Sequence, residues 1–225
     1  MKLGLISDVH ANLVALRAVL DDMETRGADP VLCAGDVVGY YPYPVETIAL
    51  FLERGIRSIQ GNHDRAVLNA GGRDMNPMAV SAVEWTARNI DPRSLAFLRS
   101  LPRYLYLEED GVRIAVYHGA PFDDDYYTFE DEAVEGLLQM AGCDLLVLGH
   151  THMPFIRRHT SGTIVNPGSV GQPRDGDPDA CYAIFDTETR RAMYRRVPYD
   201  ISEVVARTLS SGLPRSLADR LRVGR

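Results

Sequence analysis

The sequence predicts an α/β sandwich of two sheets with helices on the outside, and three observations carry that expectation. Short apolar, β-branched runs recur at residues 2–7, 31–34, 56–60, 112–117 and 144–148, each ending in Gly, Asp, His or Asn. Each has the length and texture of a buried strand. Helical periodicity alternates with the first three runs, which implies right-handed crossovers and a largely parallel sheet. After residue 101 the texture changes to hairpins, which adds antiparallel strands and a second sheet.

The elements follow in order. Leu13, Leu16, Leu20 and Met23 fall on one face of a helix that Gly27 ends, and Val45, Ile48, Ala49 and Leu52 repeat the pattern before Gly55. Residues 76–101 read as two helices. Pro77 suits a first helical turn, and Asp91-Pro92 is a cap followed by proline at the start of the second. Hairpins are expected at 104–108 with 112–117 around Asp110-Gly111, at 155–159 with 163–165 around Ser161-Gly162, and at 182–186 with 192–197. Residues 201–225 read as one or two terminal helices. With no internal repeat, linker or low-complexity tract, residues 1–225 are expected to form one domain.

Composition narrows the function. The chain has 225 residues, 45% of them hydrophobic, and a net charge of −7. These values exclude disorder, collagen and a disulfide scaffold. An acidic balance also disfavours a protein that coats a long nucleic acid, because it repels the phosphate backbone. Asp8 and His10 interrupt the apolar start that a signal peptide would need, and no window reaches the ~18 apolar residues of a membrane span. A cytoplasmic protein without a membrane partner is expected. Cys33, Cys143 and Cys181 are odd in number and form no C-x-x-C pair, so they are expected as buried, reduced thiols rather than zinc ligands.

The histidines carry the chemistry. His10, His63, His118, His150 and His152 each follow a predicted strand, whereas His159 falls inside one. Ligand sites in open α/β sheets form beyond the carboxyl ends of strands. Asp8-Val9-His10 and His150-Thr151-His152 place two donors at i and i+2, which share a side in extended backbone. Gly35-Asp36 leaves a carboxylate at the rim after a sharp turn. In Gly61-Asn62-His63-Asp64, the adjacent Asn62 and His63 point in different directions, which suits two separate jobs. Taken singly, such pairs are more often caps and turns. Together they supply nitrogen and oxygen donors and no thiolate, a set suited to two borderline divalent cations.

The ordered motifs D-x-H, G-D, G-N-H-D, H and G-H-x-H, at Asp8/His10, Gly35-Asp36, Gly61–Asp64, His118 and Gly149–His152, resemble those of the calcineurin-like metallophosphoesterase superfamily. The resemblance spans residues 3 to about 186. It implies a four-layer α/β/β/α sandwich of two mixed sheets flanked by helices. It implies one metal held by Asp8, His10, Asp36 and His152, and a second held by Asp36, Asn62, His118 and His150. Asp36 would bridge the two together with a solvent hydroxide that attacks in line. The ions are expected to be manganese first, with iron, zinc, nickel or cobalt compatible with the same donors. His63 would hydrogen-bond the phosphoryl group or protonate the leaving oxygen. The substrate would be a small phosphomonoester or phosphodiester. The phosphoprotein phosphatases carry G-D-x-x-D-R-G where this chain reads Gly35-Asp36-Val37-Val38-Gly39-Tyr40-Tyr41. The small phosphodiesterases of the YfcE type usually read G-N-C-D where this chain has His63. The chain therefore resembles a small bacterial or archaeal enzyme between these groups.

Secondary expectations concern the surroundings. Asp64 is expected to cap a helix beginning at Arg65. Arg174 could fork onto a substrate phosphate, although a solvated loop arginine is the blander reading. Tyr40, with Tyr41 and Tyr43, either walls a substrate pocket or packs under the helix at Val45. Asp123-Asp124-Asp125 lacks calcium-loop spacing and reads as an exposed loop. Arg190, Arg191, Arg195 and Arg196 form the only dense basic cluster. Two other functions compete with a phosphoesterase: a nuclease, disfavoured by the charge, and a non-catalytic scaffold of the same fold, which would tolerate loss of ligands that this chain retains.

Overall fold

In the computed structural model, which describes residues 1–69, 71–72 and 75–225, the first third of the chain winds as the periodicity predicts. Strand β1 (Lys2–Ile6) is followed by helix α1 (Leu13–Thr25), β2 (Ala28–Cys33), α2 (Pro44–Glu53) and β3 (Arg57–Ser58), and the three strands pair in parallel. Helices α3 (Asn62–Leu68), α4 (Pro77–Asn89) and α5 (Pro92–Ser100) come next. Asn76 and Asp91 cap the latter two by accepting from Ala79 N–H at 3.0 Å and Ser94 N–H at 2.6 Å, and Pro77 and Pro92 occupy first-turn positions where no N–H is needed.

The later chain builds β4 (Tyr104–Glu109), β5 (Val112–Tyr117), α6 (Glu135–Ala141), β6 (Leu145–Val147), β7 (Phe155–Arg158) and β8 (Thr163–Asn166). It ends with β9 (Ala180–Asp186), β10 (Arg191–Val197), α7 (Ile201–Ser210) and α8 (Arg215–Leu221). One sheet has the order β10-β9-β1-β2-β3 and the other β4-β5-β6-β8-β7. Both are mixed, because each predicted hairpin is antiparallel while the crossover strands are parallel.

Period-two alternation assigns each strand's two faces. Val112, Ile114 and Val116 meet Leu3, Leu5, Leu32 and Phe185 between the sheets. Ala115 and Tyr117 instead face Leu137, Leu138 and Ala141 of α6. On the far side, Ile6 and Cys33 pack on Leu16, Val19 and Met23 of α1. Each fully buried Val, Leu or Ile contributes about 1.5–3 kcal/mol, so burial on both faces fixes the strand register and stacks four layers.

Among the boundaries that differ from expectation, three are informative. β2 begins at Ala28, and Pro30 sits in the irregularity between the Lys2–Ala28 and Gly4–Val31 pairs, where a missing N–H is tolerated. β3, an edge strand, is two residues long, and beyond it Gln60 N–H turns to Pro102 O at 2.8 Å. His159 lies just past β7, and its Nε2 pairs with Ala133 O at 2.8 Å. The three cysteines are buried and unpaired with one another, and burial pushes Cys33 up to about 12. Among the described residues no helix is long and apolar enough to cross a membrane.

Candidate metal centre

The carboxyl ends of strands from both sheets converge on one buried point. Asp8 and His10 follow β1, Asp36 follows β2, Asn62 and His63 open α3 after β3, His118 follows β5, and His150 and His152 follow β6. Asp8, His10 and His118 are fully buried, and Asp36, His63, His150 and His152 are at most 5% exposed. Asn62 is half-buried.

The local backbone corrects one expectation. The two x-spaced pairs are not extended: Asp8 (φ 53°), His10 (φ 51°), His150 (φ 68°) and His152 (φ 60°) are left-handed, as is Asp36 (φ 53°). Such conformations cost roughly 1–3 kcal/mol each outside glycine and persist where surroundings over-determine them. Here Asp8 N–H donates to Gly35 O at 3.0 Å, His10 N–H to Asp36 O at 2.9 Å, and His150 N–H to Asp8 Oδ2 at 3.1 Å. The rim loops thus clamp one another. Gly61 is part of the clamp, because a Cβ there would collide with the Asp36 carboxylate and backbone nitrogen.

Two groups of donors flank one carboxylate oxygen of Asp36, a residue that also lies with Asp8 and His118 in a set of ligand atoms mutually within 4.8 Å. In the first, Asp8 Oδ1 lies 3.4 Å from His152 Nε2 and 3.8 Å from His10 Nε2, and the two imidazole Nε2 atoms are 3.1 Å apart. In the second, His118 Nε2 lies 3.0 Å from Asn62 Oδ1 and 3.1 Å from His150 Nδ1. Asp36 Oδ2 stands 3.6 Å from His10 Nε2 and 3.5 Å from His118 Nε2, so it faces both. Donors around one ion with ~2.0–2.1 Å bonds lie roughly 3.0–3.4 Å apart, close to this spacing. His63 also comes within reach of His10 and Asp36, with ligand atoms mutually within 4.8 Å.

Charge and hydrogen bonding fit a cation at each set. His118 Nδ1 pairs with Ala34 O at 2.7 Å, His150 Nε2 with Asp125 O at 3.0 Å, and His152 Nδ1 with Gln172 O. Each carbonyl takes the ring N–H and turns the other nitrogen's lone pair inward. Asp8 Oδ1 is buried with no donor partner among the described residues, which a cation would satisfy. Burial pushes Asp8 up to about 7. Burial acts in the same sense on Asp36, but His118 and His63 outweigh it and hold that carboxyl well below its usual range. Burial would lower His118, yet Asp36 raises it to about 9. Burial lowers His150 to about 3 and His63 to about 4, and it holds His10 and His152 well below the ordinary imidazole value. Neutral imidazoles are the ligating form, and at His118 a cation would take the place of the proton that Asp36 favours.

Asp64 keeps a capping role, but from inside the first turn of α3 and not as the N-cap of a helix that begins at Arg65. The helix begins at Asn62, and buried Asp64 in its first turn accepts from Gly61 N–H at 2.9 Å, Val38 N–H at 3.0 Å and Val37 N–H at 3.2 Å. It ties the loop after Asp36 to α3. Asp64→Ala leaves three buried donors unpaired, an expected loss of about 3 kcal/mol or more. Thermal denaturation should show a fall of roughly 6–12 °C, and a shift within 2 °C would contradict this role.

Tyr40 does not present its ring as a wall. It is 2% exposed, its centroid lies 4.5 Å from both His10 and His63, and it clusters with Tyr41 against α7 and α8 rather than under α2. Half-buried Arg174 donates to the Tyr40 hydroxyl at 3.2 Å and to Gln172 Oε1 at 3.3 Å. Of the basic cluster, Arg195 faces Asp22 at 3.6 Å and Arg196 engages Asp175 and Asp177, so both are partly neutralised on β10.

Several contributors escaped sequence reasoning. Asp125, expected as plain loop, pairs with buried Arg65 and supplies the carbonyl that orients His150. Tyr127 lies over His150 with ring centroids 3.8 Å apart. With Asn62 and Asn69 these residues line a cavity of about 300 Å³ beside the second donor set. A backbone carbonyl leaves no residue signature, so only folding reveals Asp125 and Gln172.

Comparison with known proteins agrees with this geometry. The model of the calcineurin-like phosphoesterase superfamily domain matches residues 1–190. An uncharacterised protein of Methanocaldococcus jannaschii is 36% identical over 99% of this chain and 98% of its own length. The phosphodiesterase YfcE of Escherichia coli is 28% identical over 84% of this chain and 89% of its own. The crystal structure of a metallophosphoesterase from Sphaerobacter thermophilus superposes with a TM-score of 0.86 at 36% identity, covering 100% of this chain and 99% of that one. Motifs, sandwich and family match coincide: the chain belongs to the calcineurin-like phosphoesterase superfamily.

Proposed function

We propose that this protein is a dinuclear metal-dependent phosphoesterase that hydrolyses small phosphomonoesters or phosphodiesters by in-line attack of a water-derived hydroxide. The observation that carries the reading is Asp36 Oδ2, which faces His10 Nε2 at 3.6 Å and His118 Nε2 at 3.5 Å and so joins two donor sets. Asp8, His10, Asp36 and His152 would hold one divalent ion; Asp36, Asn62, His118 and His150 would hold the other. Imidazole, carboxylate and amide donors without thiolate suit first-row divalent ions, manganese among them. When bound, two such ions acidify water and offset phosphoryl charge.

The chain's own residues do the rest. Asp36 Oδ1 accepts His63 N–H at 2.8 Å, which holds the first turn of α3, and with it His63, against the shared carboxylate. His63 donates the proton that the leaving oxygen needs. Burial keeps its ring neutral when the site is empty, and a phosphate dianion alongside acts in the opposite sense and favours the protonated form. The cavity lined by Asn62, Arg65, Asn69 and Tyr127 receives the group esterified to phosphate.

A metal-supplemented screen of bis-p-nitrophenyl phosphate, p-nitrophenyl phosphate, nucleotides and phosphopeptides tests this reading. Hydrolysis of at least one ester class is expected, and inertness with every metal would support the scaffold instead. His63→Ala should lower kcat by about 10²–10⁴-fold for esters with poor leaving groups. The loss should be clearly smaller for p-nitrophenyl esters, whose leaving group needs little protonation. Equal losses on both would remove the acid role.

A further inference from the structure

On the His152 side of the centre, two guanidiniums have no acidic side chain as a partner among the described residues. Gln172 links one of them to the ligand shell: its carbonyl takes the His152 ring N–H, while its side-chain Oε1 accepts from Arg174 Nε at 3.4 Å and Nη2 at 3.3 Å. Tyr40 makes a second link, with its ring against His10 and His63 and its hydroxyl accepting from Arg174. Arg174 is therefore aimed by neutral oxygens from two residues that also hold or touch His10, His63 and His152.

Arg220 arrives from α8. The loop that carries Arg174 packs on the end of that helix, where Gly176 N–H donates to Gly224 O at 2.9 Å, and Leu217 and Leu221 flank Tyr40 and Tyr41. Arg220 Nε donates to the Arg225 backbone oxygen. Burial and then the Arg174 charge lower the Arg220 guanidinium from its usual value, so the two cations feel each other. The acids close to them in sequence are engaged elsewhere: Asp175 and Asp177 with Arg196, and Asp219 with Arg215 at 3.7 Å. Among the described residues, no side-chain carboxylate lies within 4.0 Å of Arg174 or Arg220. Two half-buried like charges are unfavourable without an anion.

We propose that Arg174 and Arg220 form a subsite for a second phosphate group, so that the preferred substrate is an ester carrying two phosphates, one at the metal centre and one on this pair. The inference rests on the phosphoesterase reading above. A dianion matches two guanidiniums in charge, and each guanidinium presents forked N–H donors that fit phosphate oxygens. One Arg174 nitrogen bracing Tyr40 leaves other donors of the same group for the ligand.

The test compares matched esters on the metal-loaded full chain. Thymidine 5′-(p-nitrophenyl phosphate) is measured against its 3′-phosphorylated form, and AMP against ADP, with bis-p-nitrophenyl phosphate as the reference ester. The two-phosphate member of at least one pair should show about tenfold or higher kcat/KM. Arg174→Gln and Arg220→Gln should each cut that preference about tenfold, chiefly through KM, since a charge-assisted contact is worth roughly this factor. Arg174→Lys and Arg220→Lys should keep part of it, which separates lost charge from misfolding. Absence of preference in the unmodified enzyme, or equal losses on both members of each pair, would overturn the subsite alone. Failure to hydrolyse any ester with any metal would overturn the phosphoesterase reading and the subsite with it.

Discussion

Asp36→Asn is expected to reduce hydrolysis of p-nitrophenyl esters by about 10³-fold or more, equivalent to roughly 4 kcal/mol of transition-state stabilisation. The substitution is nearly isosteric and keeps Oδ1, so the 2.8 Å bond from His63 N–H is retained and α3 stays in place. What changes is the Oδ2 position, which faces both His10 and His118. An amide nitrogen there presents hydrogens instead of a charged lone pair, and both proposed cation positions lose a ligand at once. The variant should therefore show unchanged far-UV circular dichroism, a metal content well below two ions per chain and almost no turnover. Turnover at the unmodified rate would show that Asp36 does not join the two sets.

Removing the metal ions should destabilise the fold as well as silence it. Without cations, His10 and His152 bring ring nitrogens within 3.1 Å of each other, as do His118 and His150. Asp8 Oδ1 is left buried without a donor among the described residues. The left-handed conformations at Asp8, His10, Asp36, His150 and His152 add strain that bound ions would offset. An ion at 1,000 times its dissociation constant stabilises the native state by about 4 kcal/mol. For a chain of this size that corresponds to a fall in Tm of roughly 8–16 °C on chelation. Differential scanning fluorimetry before chelation, after it and after manganese is restored would measure it. A change below 2 °C, or one that manganese fails to reverse, would contradict a site built around divalent ions.

How much of this was legible in the sequence differs from residue to residue. Asp8, His10, Asp36, Asn62, His118, His150 and His152 were readable because each sits at a strand's end in a short pattern of chemically distinctive types. Asp64 was readable as structural but not in its geometry. Its three backbone partners at Gly61, Val37 and Val38 include two from a loop 26 and 27 residues away in sequence. Tyr40 shows the same limit, since burial against His10 and His63 is a property of packing and not of the local Tyr-Tyr-Pro-Tyr texture. Arg220 lay unremarked in a terminal helix, because nothing near it in sequence announces that α8 docks beside the centre.

The sequence by itself determined the alternation of strands and helices, the hairpins and which side chains were candidates to converge at the strand ends. Apolar periodicity, turn chemistry and side-chain type are local quantities that survive in a one-dimensional string. The net charge of −7 was also readable there, but its consequence was not: Asp8 and Asp36 are buried donors facing imidazoles, so the chain's total says little about the field a phosphate ester meets. Only the tertiary structure decided which oxygen of Asp36 faces both His10 and His118, which carbonyls orient His118, His150 and His152, and that Arg174 and Arg220 have no acidic side chain beside them among the described residues. These depend on backbone atoms and on contacts across distant segments, and the energy that selects them is spread over the whole packed core.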